Sequence, residues 1–365
     1  MARFLLKCAL FSIPVLGIFI FPLAVFILGR ELLPVSAIVS RQQQNPGQDI
    51  LYQSAFTSYT EKPYKLLSTI ARNPQIVALG LSQSLTFRAR FFRREDAFYN
   101  AGRGVYSAAD LSHYLNALPH DNNLAVILFD ATNLLYDAAV QDEHQQASAS
   151  DMLRAFLSSG WRAAYLDYAA GKFSVRGLMR ERKTTESIGL VALMHHAGFR
   201  ADGSLSRGTL PEILDMRKNA LPMALQVADN IPEIDKFSAV SLRNLAEVKK
   251  FLALARERNI VVIGYFSPYA LEIYRAIWSL RDLHGEEFRA APATLAALFE
   301  RYQYHFHDLR NLETIGSSDA ELYDAGHLTE KGTLRLLLYL TAREPALAPY
   351  ADIAELKKQI LKEPF

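Results

Sequence analysis

The chain has 365 residues, half of them hydrophobic and 21% charged, with a formal net charge of +2. This composition suits a globular protein that buries a large core, and it carries no global field favouring nucleic acid. The single cysteine, Cys8, excludes an internal disulfide framework and a cysteine-rich zinc site.

Ala9 to Leu28 is an uncharged apolar run. About 20 such residues cross a ~30 Å hydrocarbon core, so residues 1–30 are expected to form a cytoplasmic tip and one transmembrane helix. Arg3 and Lys7 precede the run and orient its N-terminus toward the cytoplasm, although Arg30 follows it and weakens the asymmetry. A cleaved signal peptide, with Val35-Ser-Ala37 as its cleavage site, is the competing reading, and the length of the apolar run favours the anchor. Residues 31–60 include Gln42-Gln-Gln-Asn-Pro-Gly-Gln48 and read as a juxtamembrane linker. Residues 61–365 then form one domain on the outer side of the membrane.

That domain alternates apolar runs with helix-like stretches. Strands are expected at 76–80, 97–99, 124–129, 260–266 and 304–309. Amphipathic helices are expected at 108–118 and 241–258. Continuous apolar strands separated by helices imply an α/β fold, a parallel sheet covered on both faces. Residues 140–235 break the rhythm and read as an insertion between the third and fourth strands. Within it, Trp161, Tyr165 and Tyr168 are either packing residues or a sugar platform. Arg176, Arg180, Arg182 and Lys183 make a solvated face, or one that meets lipid headgroups or an anionic glycan.

Active sites of parallel sheets form outside the carboxyl ends of the strands. Ser82 follows the first run by two residues, at that edge, with a helix expected to begin near Ser84 and aim its N–H groups back at the site. Asn100 and Gly102 follow the second run, where a glycine N–H can approach a developing oxyanion. Asp130 and Asn133 follow the third. Near the C-terminus, Asp324 stands three residues before His327, close enough to accept a hydrogen bond from the imidazole and hold its tautomer. His305 and His307 share a face of the fifth run, but no cysteine or carboxylate cluster accompanies them in sequence. No metal and no cofactor is expected.

Gly80-Leu-Ser82, Asn100-Ala-Gly102 and Asp324-Ala-Gly-His327-Leu-Thr-Glu-Lys-Gly332, in that order, resemble the SGNH (GDSL-like) hydrolase superfamily. Leu81 replaces the aspartate of its Gly-Asp-Ser. Within the superfamily the chain is most similar to the membrane-anchored branch, which includes D-alanine transfer proteins and the SGNH-like proteins of alginate and cellulose O-acetylation. Tyr99-Asn100 and the mid-chain Asp202-Gly-Ser204 belong to the same likeness, which covers about residues 60–345.

The resemblance implies a three-layer α/β/α, flavodoxin-like domain with Ser82 as nucleophile, His327 as general base and Asp324 as the orienting acid. The Ser82 and Gly102 N–H groups would form the oxyanion hole. A third donor would lie at Asp130 or Asn133, and an ionised aspartate cannot donate. The implied activity is that of a membrane-anchored extracytoplasmic O-acyltransferase or esterase acting on acyl groups, acetyl above all, of an envelope or exported polysaccharide. The implied partners are the membrane, a glycan acceptor and a polytopic membrane-bound O-acyltransferase. A deacetylase with the same triad and a non-catalytic glycan-binding scaffold are the alternatives.

Overall fold

The computed structural model describes residues 1, 4, 17–45, 48–55, 60–132, 154, 156–230 and 241–364. The chain divides into two compact units: one of Met1–Pro63, His144–Ala201 and Ser206–Thr209, the other of Tyr64–Glu143, Asp202–Leu205 and Leu210–Phe365.

The larger unit holds the sheet. Its strands are β1 (Ile76–Leu79), β2 (Phe98–Asn100), β3 (Val126–Asp130), β6 (Val261–Phe266) and β7 (His305–Asp308). The short strands β4 (Ala197–Phe199) and β5 (Leu205–Arg207) pair in a separate two-stranded sheet. The large sheet is ordered β2-β1-β3-β6-β7 and all four pairings are parallel. Numbered along the chain, these five strands run 2-1-3-4-5, a doubly wound order whose switch point lies between β1 and β3.

Alternation along the strands explains why both faces are covered. Ile76, Ala78, Val126, Leu128, Ile263 and Tyr265 feed one apolar cluster, shared with helices Leu271–Ser279, Glu330–Thr341 and Ile353–Lys362. Val77, Leu79, Ile127, Phe129, Val262 and Phe266 feed another, shared with helices Ala108–Ala117, Leu242–Glu257 and Leu283–Glu300. Strands with both faces buried need no polar side, so β1 and β3 read as unbroken apolar runs.

The connection from β1 to β2 differs from expectation. No α-helix follows β1; the chain makes three 3-10 turns, Ser82–Thr86, Ala89–Phe91 and Glu95–Ala97. The expected helix at Ser84, and its macrodipole, are replaced by the tighter first turn.

The smaller unit holds helical residues at 17–28. Of the expected span at 9–28, residues 9–16 lie outside the described residues. Among the described residues no helix is long and apolar enough to cross a membrane. Residues 31–60, expected to be a linker, carry a helix, Val35–Gln44, with Val35, Ile38 and Val39 buried. Tyr52 exchanges backbone hydrogen bonds of 2.9 Å with Phe199, and Gln42 Nε2 donates to the carbonyls of Ile50 and Phe199 at 2.7 and 3.1 Å. Glu31 is buried and accepts from the Leu190 N–H at 2.6 Å, the Ala55 N–H at 3.2 Å and the Ser54 hydroxyl. Burial raises its pKa above the ordinary value, against those hydrogen bonds.

The expected insertion is divided as well. Most of its early part belongs to the smaller unit, but Asp202–Leu205 belongs to the larger one.

Candidate active site

Ser82 opens the 3-10 turn after β1, at the carboxyl edge of the sheet. The N–H groups of Ser82 and Gln83 donate to no protein acceptor among the described residues. They are the first donors of a helical turn and project from its N-terminal end.

Asp324 and His327 sit on a short hairpin. The Tyr323 N–H donates to the His327 carbonyl at 2.8 Å and the Thr329 N–H to the Glu321 carbonyl at 2.9 Å, around a Leu322–Leu328 bridge. Inside this hairpin Asp324 Oδ1 accepts from the N–H groups of Gly326 and His327, both at 3.0 Å. The local fold therefore aims the carboxylate before the imidazole is considered. Thr329 then caps the helix Glu330–Thr341 by accepting from the Gly332 N–H at 3.2 Å.

His327 Nδ1 lies 2.8 Å from both Asp324 oxygens, and His327 Nε2 lies 2.8 Å from Ser82 Oγ. An ionised carboxylate only accepts, so it holds the ring proton on Nδ1 and leaves Nε2 as acceptor for the Ser82 hydroxyl. The His327 and Asp324 side chains are about a quarter exposed, at 25% and 28%, so a substrate can reach them. The expected nucleophile, 245 residues before the histidine, is thus in hydrogen-bonded contact with the expected base, and the base with the expected orienting acid.

The other site residues have different tasks. Asn100 is fully buried at the end of β2. Its Nδ2 donates to the carbonyls of Ser84 and Phe87 at 2.8 and 2.9 Å, and its Oδ1 accepts from the Gly102 N–H at 2.9 Å. Asn100 therefore braces the turn that carries Ser82. Gly102, expected as an oxyanion donor, has its N–H engaged by that same side chain. The free N–H next to Ser82 is that of Gln83, which sequence reasoning missed. The signal that could have found it is a helical turn that begins at Ser82 itself rather than near Ser84.

Asp130 is buried at the end of β3. Its Oδ1 accepts from the Thr132 N–H at 2.9 Å and its Oδ2 from the Ser267 hydroxyl at 2.7 Å. The Ser267 N–H in turn donates to Thr132 Oγ1 at 2.7 Å. This network ties the ends of β3 and β6 together. Burial raises the Asp130 pKa, opposed by the hydrogen bonds from Thr132 and Ser267. Both oxygens act as acceptors, so Asp130 is a joint and not an oxyanion donor. Asn133 lies outside the described residues.

A further support comes from the Asp202-Gly-Ser204 element. The Asn100 N–H donates to the Asp202 carbonyl at 2.8 Å. The Asp202 carboxylate accepts from the Ala89 N–H at 2.9 Å and from the Ser204 N–H and hydroxyl at 3.0 and 2.6 Å. Burial pushes its pKa up, but these hydrogen bonds outweigh burial and hold it below the ordinary value. Gly203 has φ +80°, and a Cβ there would stand 2.1 Å from the Asn100 carbonyl oxygen, so only glycine fits. The buried Lys65 ammonium donates to the carbonyls of Asn100, at 3.1 Å, and Gly203.

Elsewhere, His305 Nδ1 stands 3.1 Å from both Glu344 oxygens and His307 Nε2 2.6 Å from Oε1. Among the described residues no group of three or more His, Cys, Asp or Glu is arranged to hold a metal ion.

No family model, no curated protein and no solved structure matches this chain.

Proposed function

We propose that the protein is a serine acyl-transfer enzyme of SGNH type: a membrane-anchored, extracytoplasmic O-acyltransferase or esterase acting on acyl groups, acetyl above all, of an envelope or exported polysaccharide. The observation that carries this reading is the Ser82–His327–Asp324 relay at the carboxyl edge of a doubly wound sheet, with both hydrogen-bonded links at 2.8 Å.

In this reading His327 Nε2 takes the proton of Ser82 Oγ as the oxygen attacks the acyl carbonyl carbon. Asp324 stabilises the imidazolium. The negative charge forms on the carbonyl oxygen, where the Ser82 and Gln83 N–H groups supply donors. The tetrahedral adduct collapses, the bond to the departing oxygen breaks, and His327 returns the proton to that oxygen. The acyl group is then an ester of Ser82. A glycan hydroxyl or water, deprotonated by the same histidine, attacks it and regenerates the serine. The two acceptors separate transferase from deacetylase, and both use the same groups. The span at 9–28 would tether Ser82 close to a polytopic membrane-bound O-acyltransferase that delivers the acyl group, raising effective concentration.

The test is chemical. A fluorophosphonate probe should label the full chain and fail to label Ser82→Ala. Turnover of an acyl ester should fall by roughly three or more orders of magnitude in Ser82→Ala and His327→Ala, somewhat less in Asp324→Ala, and little further in double variants. Labelling and turnover that persist in Ser82→Ala would overturn the catalytic reading. Glycan binding without any turnover would then favour the scaffold alternative.

A further inference from the structure

The turn that carries Ser82 also carries Gln83, whose side chain the serine chemistry does not use. In the 3-10 turn Ser82–Thr86 the residues Ser84, Leu85 and Thr86 are buried, while Ser82 and Gln83 at its start are half-buried. Such a turn has about three residues per revolution, so the Gln83 side chain leaves it a third of a turn round from Ser82.

Among the described residues, Gln83 Oε1 is shut off from solvent and has no hydrogen-bond partner, and Nε2 donates to no acceptor. Other enclosed polar atoms without a partner differ. Arg72, Arg88 and Arg258 leave Nε unmade but bond through their remaining nitrogens. Gln83 bonds through neither end of its amide. An enclosed carbonyl oxygen without a donor is a standing cost to the fold, and a methionine of like length would fill the space without it. Where buried polar groups wait for a substrate hydroxyl, an analogue that lacks it leaves them unpaired and is rejected.

Position says which part of the substrate brings the missing partner. In the serine reading the acyl carbon lies on Ser82 Oγ and its oxygen on the N–H groups of Ser82 and Gln83. A substrate held on those atoms meets the residue that carries the amide. An acetyl group has no donor to give, so the donor comes from the alcohol side, from a hydroxyl next to the acylated one. An amide offers one accepting and one donating end, and a hydroxyl serves either, so the match holds whichever way the amide is turned.

We infer that the Gln83 side-chain amide is a specificity-determining group: it pairs with a hydroxyl adjacent to the acylated one, so the substrate is a vicinal diol of a saccharide and not an isolated alcohol. The inference rests on the serine acyl-transfer reading of Ser82.

The experiment compares two esters that differ by one hydroxyl, the monoacetate of trans vicinal cyclohexanediol and cyclohexyl acetate. Their kcat/KM values are measured for the full chain, Gln83→Met and Gln83→Glu, with thermal melting of each. Fluorophosphonate labelling of the parent and of Ser82→Ala is run beside them. The parent should prefer the hydroxylated ester by roughly 10- to 100-fold, the worth of one hydrogen bond to a buried group. Gln83→Met should abolish that preference, whatever its absolute rates, and melt no lower than the parent, because it removes an unpaired atom. Gln83→Glu keeps an acceptor and should keep part of the preference. A parent without the preference, or a preference that survives in Gln83→Met, overturns the inference. Equal losses on both esters with a lower melting temperature make Gln83 a packing residue and overturn it too. A parent that is not labelled at Ser82 removes the serine reading itself, and the subsite with it.

Discussion

Asn100→Ala tests whether this side chain braces the nucleophile turn or acts on the reacting carbonyl. The substitution strands three buried groups, the carbonyls of Ser84 and Phe87 and the N–H of Gly102, which Asn100 holds at 2.8, 2.9 and 2.9 Å. An unsatisfied buried polar group costs about 1–3 kcal/mol, and allowing for partial relaxation the three together cost about 4 kcal/mol. In a domain of this size that lowers the melting temperature by about 8–16 °C. The Ser84 and Phe87 carbonyls belong to the turn that Ser82 opens, so turnover should also fall, by roughly 100-fold for a displacement near 1 Å. Circular dichroism melting, hydrogen exchange of the amides at 100–104 and ester turnover would be measured on the same preparation. Exchange at Gly102 should accelerate along with the loss of stability. Asn100→Asp keeps an acceptor for Gly102 but sets a carboxylate against two carbonyl oxygens, so it should melt no higher than Asn100→Ala. If Asn100→Ala melts within about 1 °C of the parent while turnover collapses, the brace is wrong and Asn100 acts at the reaction itself.

Three further outcomes are expected. Gly102→Ala would place a Cβ 2.6 Å from Ser84 Oγ and 2.9 Å from Asn100 Oδ1; it should destabilise by about 1–3 kcal/mol, and a melting temperature equal to the parent's would show that the loop has room. Asp130 has a folded pKa raised above its ordinary 3.8, so its ionisation opposes folding as pH rises from that value through the folded one. Asp130→Asn removes that slope while keeping an acceptor for the Thr132 N–H, so its stability relative to the parent should improve between acid and neutral pH; a relative loss over the same range contradicts the buried-carboxylate account. For Glu344, burial raises the pKa, but hydrogen bonds from His307 and His305 outweigh it and leave the folded value below 4.5. Its contribution is therefore present above that pH and lost as pH falls through the folded value. Glu344→Gln should melt below the parent at neutral pH, and the gap should close in acid; a gap that persists at low pH places the effect in packing.

The parts legible in the sequence are those governed by local pattern. β1, β3 and β6 are apolar runs because a parallel strand buried on both faces has no polar side, so their existence follows from composition over four to six residues. The Asp324–His327 pair was also local: an aspartate that accepts from the N–H two and three residues on fixes its own carboxylate beside the histidine. The short strand β2 was expected at 97–99 and stands at Phe98–Asn100, whereas the 3-10 turn at Ser82 and the return of Asp202-Gly-Ser204 to the sheet depend on partners far along the chain, and no period announces them. The roles of Gly102, Asn100 and Asp130 were decided by tertiary structure for the same reason. A residue type says which hydrogen bonds a group can make, but only the packed neighbours say which remain unmade. Asn100 and Gly102 carry N–H donors that an oxyanion hole could use, and the fold gives those donors other partners. The apolar stretch at 17–28 shows the same division. Its sequence announces a helix with no polar side; that Phe19 and Phe21 take Trp161, Tyr165 and Tyr168 as neighbours is a long-range choice of packing, made where aromatic rings from two distant segments share one face.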